Sequence, residues 1–141
     1  MNSSKISFAE FMKSRPEAAN AYVNGNSAPV LEMSSSSAQA TFFPPNGGHV
    51  QGARAISEEN TKGAKHFSPG GTSKLEILQR GESGDVSFWV GIQHAVVRMA
   101  GKLEPVTMAL RVTEIFQRES NAWRLVHRHA DMLAEAKPKP S

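Results

Sequence analysis

The sequence contains no cysteine, which excludes disulfides, thiolate catalysis and cysteine metal sites. It has no apolar run long enough to span a membrane, and the N-terminal stretch MNSSKISFAEFMKSRPEAAN lacks an apolar core of signal-peptide length. The net charge is only +3, and no face combines a run of Lys and Arg with aromatic residues. We therefore expect a cytoplasmic protein with neither nucleic acid nor a membrane as its partner.

Phosphate-binding loops are also missing. Gly47-Gly48 and Gly70-Gly71 are not followed by Lys-Ser/Thr, so neither pair matches the phosphate-loop motif. We predict no cofactor. The length of 141 residues suits one domain, which we place at residues 1–132, followed by a flexible tail at 133–141 that ends in KPKPS.

The pattern of apolar residues is helical in the first half of the chain and alternating in the second. It predicts helices that begin at the Ser7–Glu10 capping box, at Pro16–Asn24, at Ser27–Met33 and at Ala53–Phe67. It predicts strands at Thr41–Phe43, Lys74–Arg80, Val86–Met99, Val106–Arg118 and Ala122–Met132. Short turns between the last four strands make them antiparallel neighbours, so we predict an α+β fold with helices on one face of a curved sheet.

The last two strands, LRVTEIFQRESNAWRLVHRHAD, resemble the C-terminal end of the SnoaL-like and ketosteroid-isomerase-like proteins of the NTF2-like superfamily. The matching positions are Arg111, Thr113, Trp123, His127, His129 and Asp131. Upstream, AYVNGNSAPVL and GDVSFWVGIQH are similar to a helix and the middle strand of that family, so that the resemblance runs from about Pro16 to Met132. It implies a cone in which about three helices enclose a pocket against a strongly curved, mainly antiparallel sheet, commonly in a homodimer.

The resemblance does not decide the activity, because this superfamily includes isomerases, dehydratases, cyclases, epoxide hydrolases and non-catalytic assembly modules. Phe43 or Pro44 occupies the position of the aspartate base of ketosteroid isomerases, and no Asp or Glu occurs between Glu32 and Glu58. Steroid isomerisation by that aspartate is therefore disfavoured.

In a regular strand, Trp123, Leu125, His127, His129 and Asp131 share one face. The two histidines and the aspartate are our first candidate catalytic residues, since a carboxylate can orient a histidine that titrates near neutrality. A packing or hydrogen-bonding role is the structural alternative. A metal held by the two histidines with Asp131 or His94 is a further alternative, but we predict no metal site because the third ligand must come from elsewhere.

The face of strand 106–118 that points inward is left open by the sequence. If Arg111 and Thr113 point in, Arg111 can hold a carboxylate or phosphate. If Glu114 points in among apolar residues, its pKa rises and it becomes the fourth candidate catalytic residue, a general base. The alternative is that Arg111 or Glu114 forms a salt bridge with a neighbouring strand.

Both faces of strand 86–99 are largely apolar. One face carries Phe88, Val90, Ile92, His94 and Val96, and the other carries Trp89, Gly91, Gln93, Ala95 and Val97. A solvated face should alternate with polar residues, so one face should be covered by helices and the other by a second subunit. This pattern predicts a homodimer.

We predict a protein that binds a small, partly apolar molecule in the cone, with possible acid–base chemistry of the isomerase, cyclase or dehydratase type. The alternative is a non-catalytic ligand-binding or dimeric assembly module. An open, largely apolar pocket with a titratable group pointing into it favours an enzyme, whereas a filled cone favours the alternative. The candidate ligand-binding residues are Arg111, Thr113, Trp89, Trp123, His94 and Tyr22.

Overall fold

The structure is a computed structural model that describes residues 6–134. Its helices are α1 (Phe8–Phe11), α2 (Arg15–Val23), α3 (Ala28–Glu32) and α4 (Ala53–Ala64). Its strands are β1 (Thr41–Phe43), β2 (Val50–Gln51), β3 (Phe67–Ser83), β4 (Val86–Met99), β5 (Val106–Glu119) and β6 (Ala122–Met132). Except for its first two residues, the predicted tail at 133–141 lies outside the described residues.

The strands form one sheet in the order β2-β1-β6-β5-β4-β3. All neighbours are antiparallel except β1 and β6, which run parallel with Thr41 opposite His127. The predicted α+β fold, with helices packed on a curved and mainly antiparallel sheet, is confirmed. β2 was not predicted, because two residues are too few to display an alternating pattern.

β3 and β4 come unusually close beside Gly91. A Cβ atom on Gly91 of β4 would lie 1.9 Å from the carbonyl oxygen of Glu76, so only glycine fits at this crossing. The register of β3 also shifts between Ile77 and Gln79, where one extra residue enters the strand. An irregularity of this kind bends a strand and increases its twist, which wraps the sheet around the helices.

A β-bulge in β6 changes which side chains face the helices. Leu125 pairs with Phe116 and His127 pairs with Ile115, so Val126 has no partner across the strand. Trp123 and Leu125 face the core, and beyond the bulge the inward residues are Arg128, Ala130 and Met132. The prediction that His127, His129 and Asp131 share a face with Trp123 is therefore wrong, because the bulge reverses the alternation between them.

Aromatic side chains form the main core between α1 and the sheet. The ring of Phe8 lies 5.4 Å from that of Phe116 and 5.7 Å from that of Trp123, and Phe11 lies 5.1 Å from Phe116. All four residues are at least 93% buried. The N-cap predicted at Ser7 is present, since the Ser7 side chain accepts a hydrogen bond from the Glu10 amide, which is one of the two bonds of a capping box. This cap directs the phenylalanines of α1 onto the sheet.

Candidate functional site

A cavity of about 630 Å³ lies between the helices and the inner face of the sheet. This volume is in the range of small-molecule binding sites. Its wall is largely apolar, with side chains from α2, α3, α4 and the strands, among them Ala19, Val23, Val30, Ile56, Phe67, Ala95, Met108, Leu110 and Leu125. Polar side chains interrupt this wall at a few places, among them Arg15, Tyr22, Gln93 and Arg128.

Beside the cavity, Glu114 of β5 is fully buried and accepts four hydrogen bonds. Arg15 donates to it through Nε and Nη2, at 2.8 and 2.7 Å. Arg128 donates through Nη1 at 2.6 Å, and the indole nitrogen of Trp89 donates at 2.7 Å. The four residues come from α2, β4, β5 and β6, so this cluster ties one helix to three strands.

The two guanidinium groups determine the protonation state of Glu114. Burial alone would raise the pKa of this carboxyl, but the charges and hydrogen bonds of Arg15 and Arg128 outweigh it and lower the pKa to about 2. The expectation that burial raises the pKa of Glu114 is thus wrong, because its neighbours are cations rather than apolar side chains. A carboxylate this acidic is a poor proton acceptor near neutral pH.

Arg128 is the polar side chain that connects this cluster to the cavity wall. Its Nη2 donates to Gln93 Oε1 at 2.9 Å, and Gln93 in turn donates to the hydroxyl of Ser73 at 3.0 Å. The sequence reasoning missed Arg128, because regular alternation placed it on the outer face. It also missed Arg15, since an arginine directly before Pro16 is typical of an exposed helix start. No local sequence pattern revealed either position.

The predicted His, His and Asp set lies on the outer face of the sheet, outside the cavity lining. His127 Nδ1 is 2.7 Å from the hydroxyl of Thr41, and burial together with His129 lowers the pKa of His127. His129 Nε2 lies 3.8 Å from Asp131 Oδ2. The structure brings these three residues near one another but places Glu114 on the opposite face.

Arg111 also lies on the outer face, where it holds Asp131 with two hydrogen bonds of 2.7 and 2.9 Å. The hydrogen bond from Arg111 lowers the pKa of Asp131. Both residues considered on this strand therefore form ion pairs with β6. Arg111 pairs with Asp131 on the outer face of the sheet, and Glu114 pairs with Arg128 on the inner face. Thr113 faces outward beside Arg111 and is half-buried.

The remaining predicted ligand-binding residues are divided between the cavity and other places. Tyr22 lines the cavity, and burial raises the pKa of its hydroxyl. Trp89 lies behind Glu114 and supports it. Trp123 is part of the aromatic core and donates to the backbone oxygen of Ile6 at 3.1 Å. His94 is exposed on the outer face, with Nε2 2.8 Å from Glu76.

Between residues 6 and 134, no group of three or more His, Asp or Glu side chains is arranged to hold a metal ion. Over the same range, every helix is too short or too polar to cross a membrane.

The family model described as a SnoaL-like domain matches residues 16–135. The chain therefore belongs to the SnoaL-like domain family, as its C-terminal strands indicated. No protein with a curated description matches the sequence.

Solved structures with low sequence identity share the fold. An NTF2-like superfamily protein from Salmonella enterica superposes with a TM-score of 0.74 at 16% identity, covering 93% of this chain and 96% of that one. A protein from Streptomyces avermitilis, provisionally assigned as a dehydratase of the NTF2-like family, gives 0.71 at 12% identity, with 91% and 94% covered. A protein from Thiobacillus denitrificans, provisionally assigned as a calcium/calmodulin-dependent protein kinase type II association domain, gives 0.67 at 15%, with 87% and 92% covered. At these identities the likeness establishes the fold alone.

Proposed function

We propose that this protein binds a small, largely apolar molecule in the cavity of its cone. The observation that carries the proposal is the cavity of about 630 Å³, which combines an apolar wall with a buried polar cluster at one place. Sites for small organic ligands have this composition, because the wall supplies affinity and a few polar groups fix orientation. The cone is open rather than filled, which favours binding over a purely structural module.

Acid–base chemistry in this cavity would depend on few groups. Arginine stays protonated in proteins, so neither Arg15 nor Arg128 can take up a proton there, and the other ionisable side chains along the wall are Tyr22, Glu59, Lys62 and His66. The histidines of β6 lie outside the cavity and would need a substrate on the outer face. Binding is therefore the function that the geometry supports best.

A neutral fluorescent probe tests binding in the cavity. We expect N-phenyl-1-naphthylamine to bind with increased fluorescence, and Ala95→Phe to weaken its binding at least about tenfold, because the added ring occupies the space of the ligand. Leu103→Phe is the control, since Leu103 is 94% exposed in the turn between β4 and β5 and lies outside the cavity lining. Circular dichroism checks that both variants fold.

Equal probe binding by the wild type and Ala95→Phe would contradict the proposal. Leu110→Phe provides a second test from β5, because Leu110 also lines the cavity. Loss of binding in both cavity variants, together with normal binding in Leu103→Phe, would support the cavity as the site.

We also propose that the protein is a homodimer that buries the outer face of β4. Val90 and Ile92 are only partly covered within one chain, and Val96 is 42% exposed. Ile115 of β5 lies beside them, opposite Phe88. Monomeric proteins rarely leave an apolar sheet patch such as Val90, Ile92 and Ile115 in contact with water.

The dimer is tested by analytical ultracentrifugation of a variant with a charge on this face. We expect the wild type to sediment as a dimer and Val90→Lys to sediment as a monomer, because an unpaired ammonium cannot be buried in an apolar interface without a large penalty. Leu103→Lys is the control, since Leu103 is 94% exposed in the turn between β4 and β5. A monomeric wild type, or a dimeric Val90→Lys, would contradict this interface.

A further inference from the structure

We propose that the ligand is an organic anion with an apolar body, and that Arg15 and Arg128 receive its carboxylate head. This inference rests on the proposed function and adds the chemical class of the ligand. Two observations support it: the excess positive charge of the buried cluster of Arg15, Glu114 and Arg128, and the hydrogen-bond donors that this cluster leaves unused.

The buried cluster contains two cations and one anion. Arg15 is 3% exposed, the side chain of Arg128 is 16% exposed, and Glu114, which they share, is fully buried. One positive charge is therefore left without a buried counter-charge. An uncompensated charge in a protein interior is costly, and an anion entering the cavity would remove that cost.

Hydrogen-bond donors remain unused in the same place. Arg15 directs Nε and Nη2 to Glu114, and its Nη1 is buried without a hydrogen-bond partner in the part of the chain that the structure describes. Buried donors are nearly always satisfied, so Nη1 leaves the cluster with unused donor capacity at a residue of the cavity wall. Arg128 holds Glu114 through Nη1 and Gln93 through Nη2, which fixes its guanidinium at the cavity wall.

Tyr22 adds a third donor that faces the same cavity. Burial raises the pKa of its hydroxyl, so the group stays protonated and able to donate at neutral pH. A carboxylate accepts from several donors at once and matches the planar fork of a guanidinium, whereas a neutral alcohol provides a single weak acceptor.

The other charged residues along the cavity do not supply the missing anion. Glu59 and Lys62 on α4 carry opposite charges and together add nothing to the balance, while His66 is exposed beyond the end of that helix. Between residues 6 and 134, Glu59 forms no ion pair with either arginine. The remaining wall is mostly aliphatic and suits a hydrocarbon body.

Displacement of N-phenyl-1-naphthylamine by two matched molecules at pH 7.5 tests the inference. Decanoate and decan-1-ol have the same chain length and differ in the charge of the head. We expect decanoate to displace the probe from the wild type at a concentration at least about tenfold lower, since charge-assisted hydrogen bonds to arginine are roughly twice as strong as neutral ones. This comparison needs no variant.

Arg128→Gln then locates the head. We expect the preference for decanoate to fall below about threefold, because this change leaves Glu114 and Arg15 as a balanced pair with no excess charge. Arg54→Gln is the charge-matched control, since the side chain of Arg54 is 96% exposed on α4, and it should keep the preference of the wild type.

The outcomes separate the two proposals. If the probe does not bind in the cavity, the proposed function fails and the inference fails with it. If the probe binds but the two molecules displace it equally, or if Arg128→Gln keeps the full preference, the ligand-binding function stands and the anion assignment is overturned.

Discussion

Replacing Glu114 with glutamine is expected to lower the free energy of unfolding by about 3–5 kcal/mol, the usual cost of removing one partner from a buried ion pair. The substitution keeps the size of the side chain but leaves Arg15 and Arg128 buried without an anion. Urea denaturation of the purified protein measures the loss. Glu76→Gln is the matched control, because Glu76 pairs with His94 at the surface, where such pairs contribute at most about 1 kcal/mol.

Acid provides a second measurement on the same carboxylate. The pKa of Glu114 is about 2 in the folded protein, against 4.5 for an ordinary glutamate. A lowered folded pKa means that the stabilisation is fully present above pH 4.5 and is lost as the pH falls towards 2. The difference corresponds to about 3 kcal/mol in the wild type. A wild type and a Glu114→Gln variant that lose stability in parallel over this interval would contradict the assigned ion pairs.

Replacing Phe8 with alanine is expected to destabilise the protein by about 3–5 kcal/mol, as is typical when a buried phenylalanine is truncated. Phe8 is 2% exposed and packs on Phe116 and Trp123 from a helix of only four residues. Its backbone amide also donates to Glu82 of β3 at 3.2 Å. Thermal and urea unfolding followed by circular dichroism measure the loss.

Leu103→Ala is the control for this experiment, because an exposed leucine contributes little to folding and should change stability by less than about 0.5 kcal/mol. A loss below about 1 kcal/mol for Phe8→Ala would mean that α1 does not pack on the sheet in solution. The family model begins at residue 16, so α1 lies outside the matched region. The stability of Phe8→Ala therefore measures how much a helix outside that region contributes to folding.

The fold was largely predictable because its signals are local. The capping box at Ser7, the prolines at helix starts and the alternation in β4 each depend on neighbouring residues, and the predicted bounds of β4 and β6 agree with the structure. β3 was predicted too short at both ends. Its outer parts contain Gly70 and Gly71 and few apolar side chains, so the apolar alternation is absent there.

The site was much less predictable, because it depends on contacts between distant residues. The pairing of Arg15 with Glu114 spans 99 positions, and nothing near Arg15 in the sequence indicates that it is buried. Whether burial raises or lowers the pKa of Glu114 also depends on which charges the fold brings beside it. Of the predicted ligand-binding residues, Tyr22 lines the cavity, whereas Arg111, Thr113 and His94 lie on the outer face.

The bulge at Val126 determines how β6 must be aligned with the corresponding strand of another protein. A shorter β6 without Val126 could pair regularly and still keep Arg128 inward and His127 outward. A straight strand that retains Val126 would instead exchange the two faces and bring the imidazoles into the cone. An alignment of β6 with a regular strand must therefore place a one-residue gap at Val126, or it will equate a cavity arginine with a surface histidine.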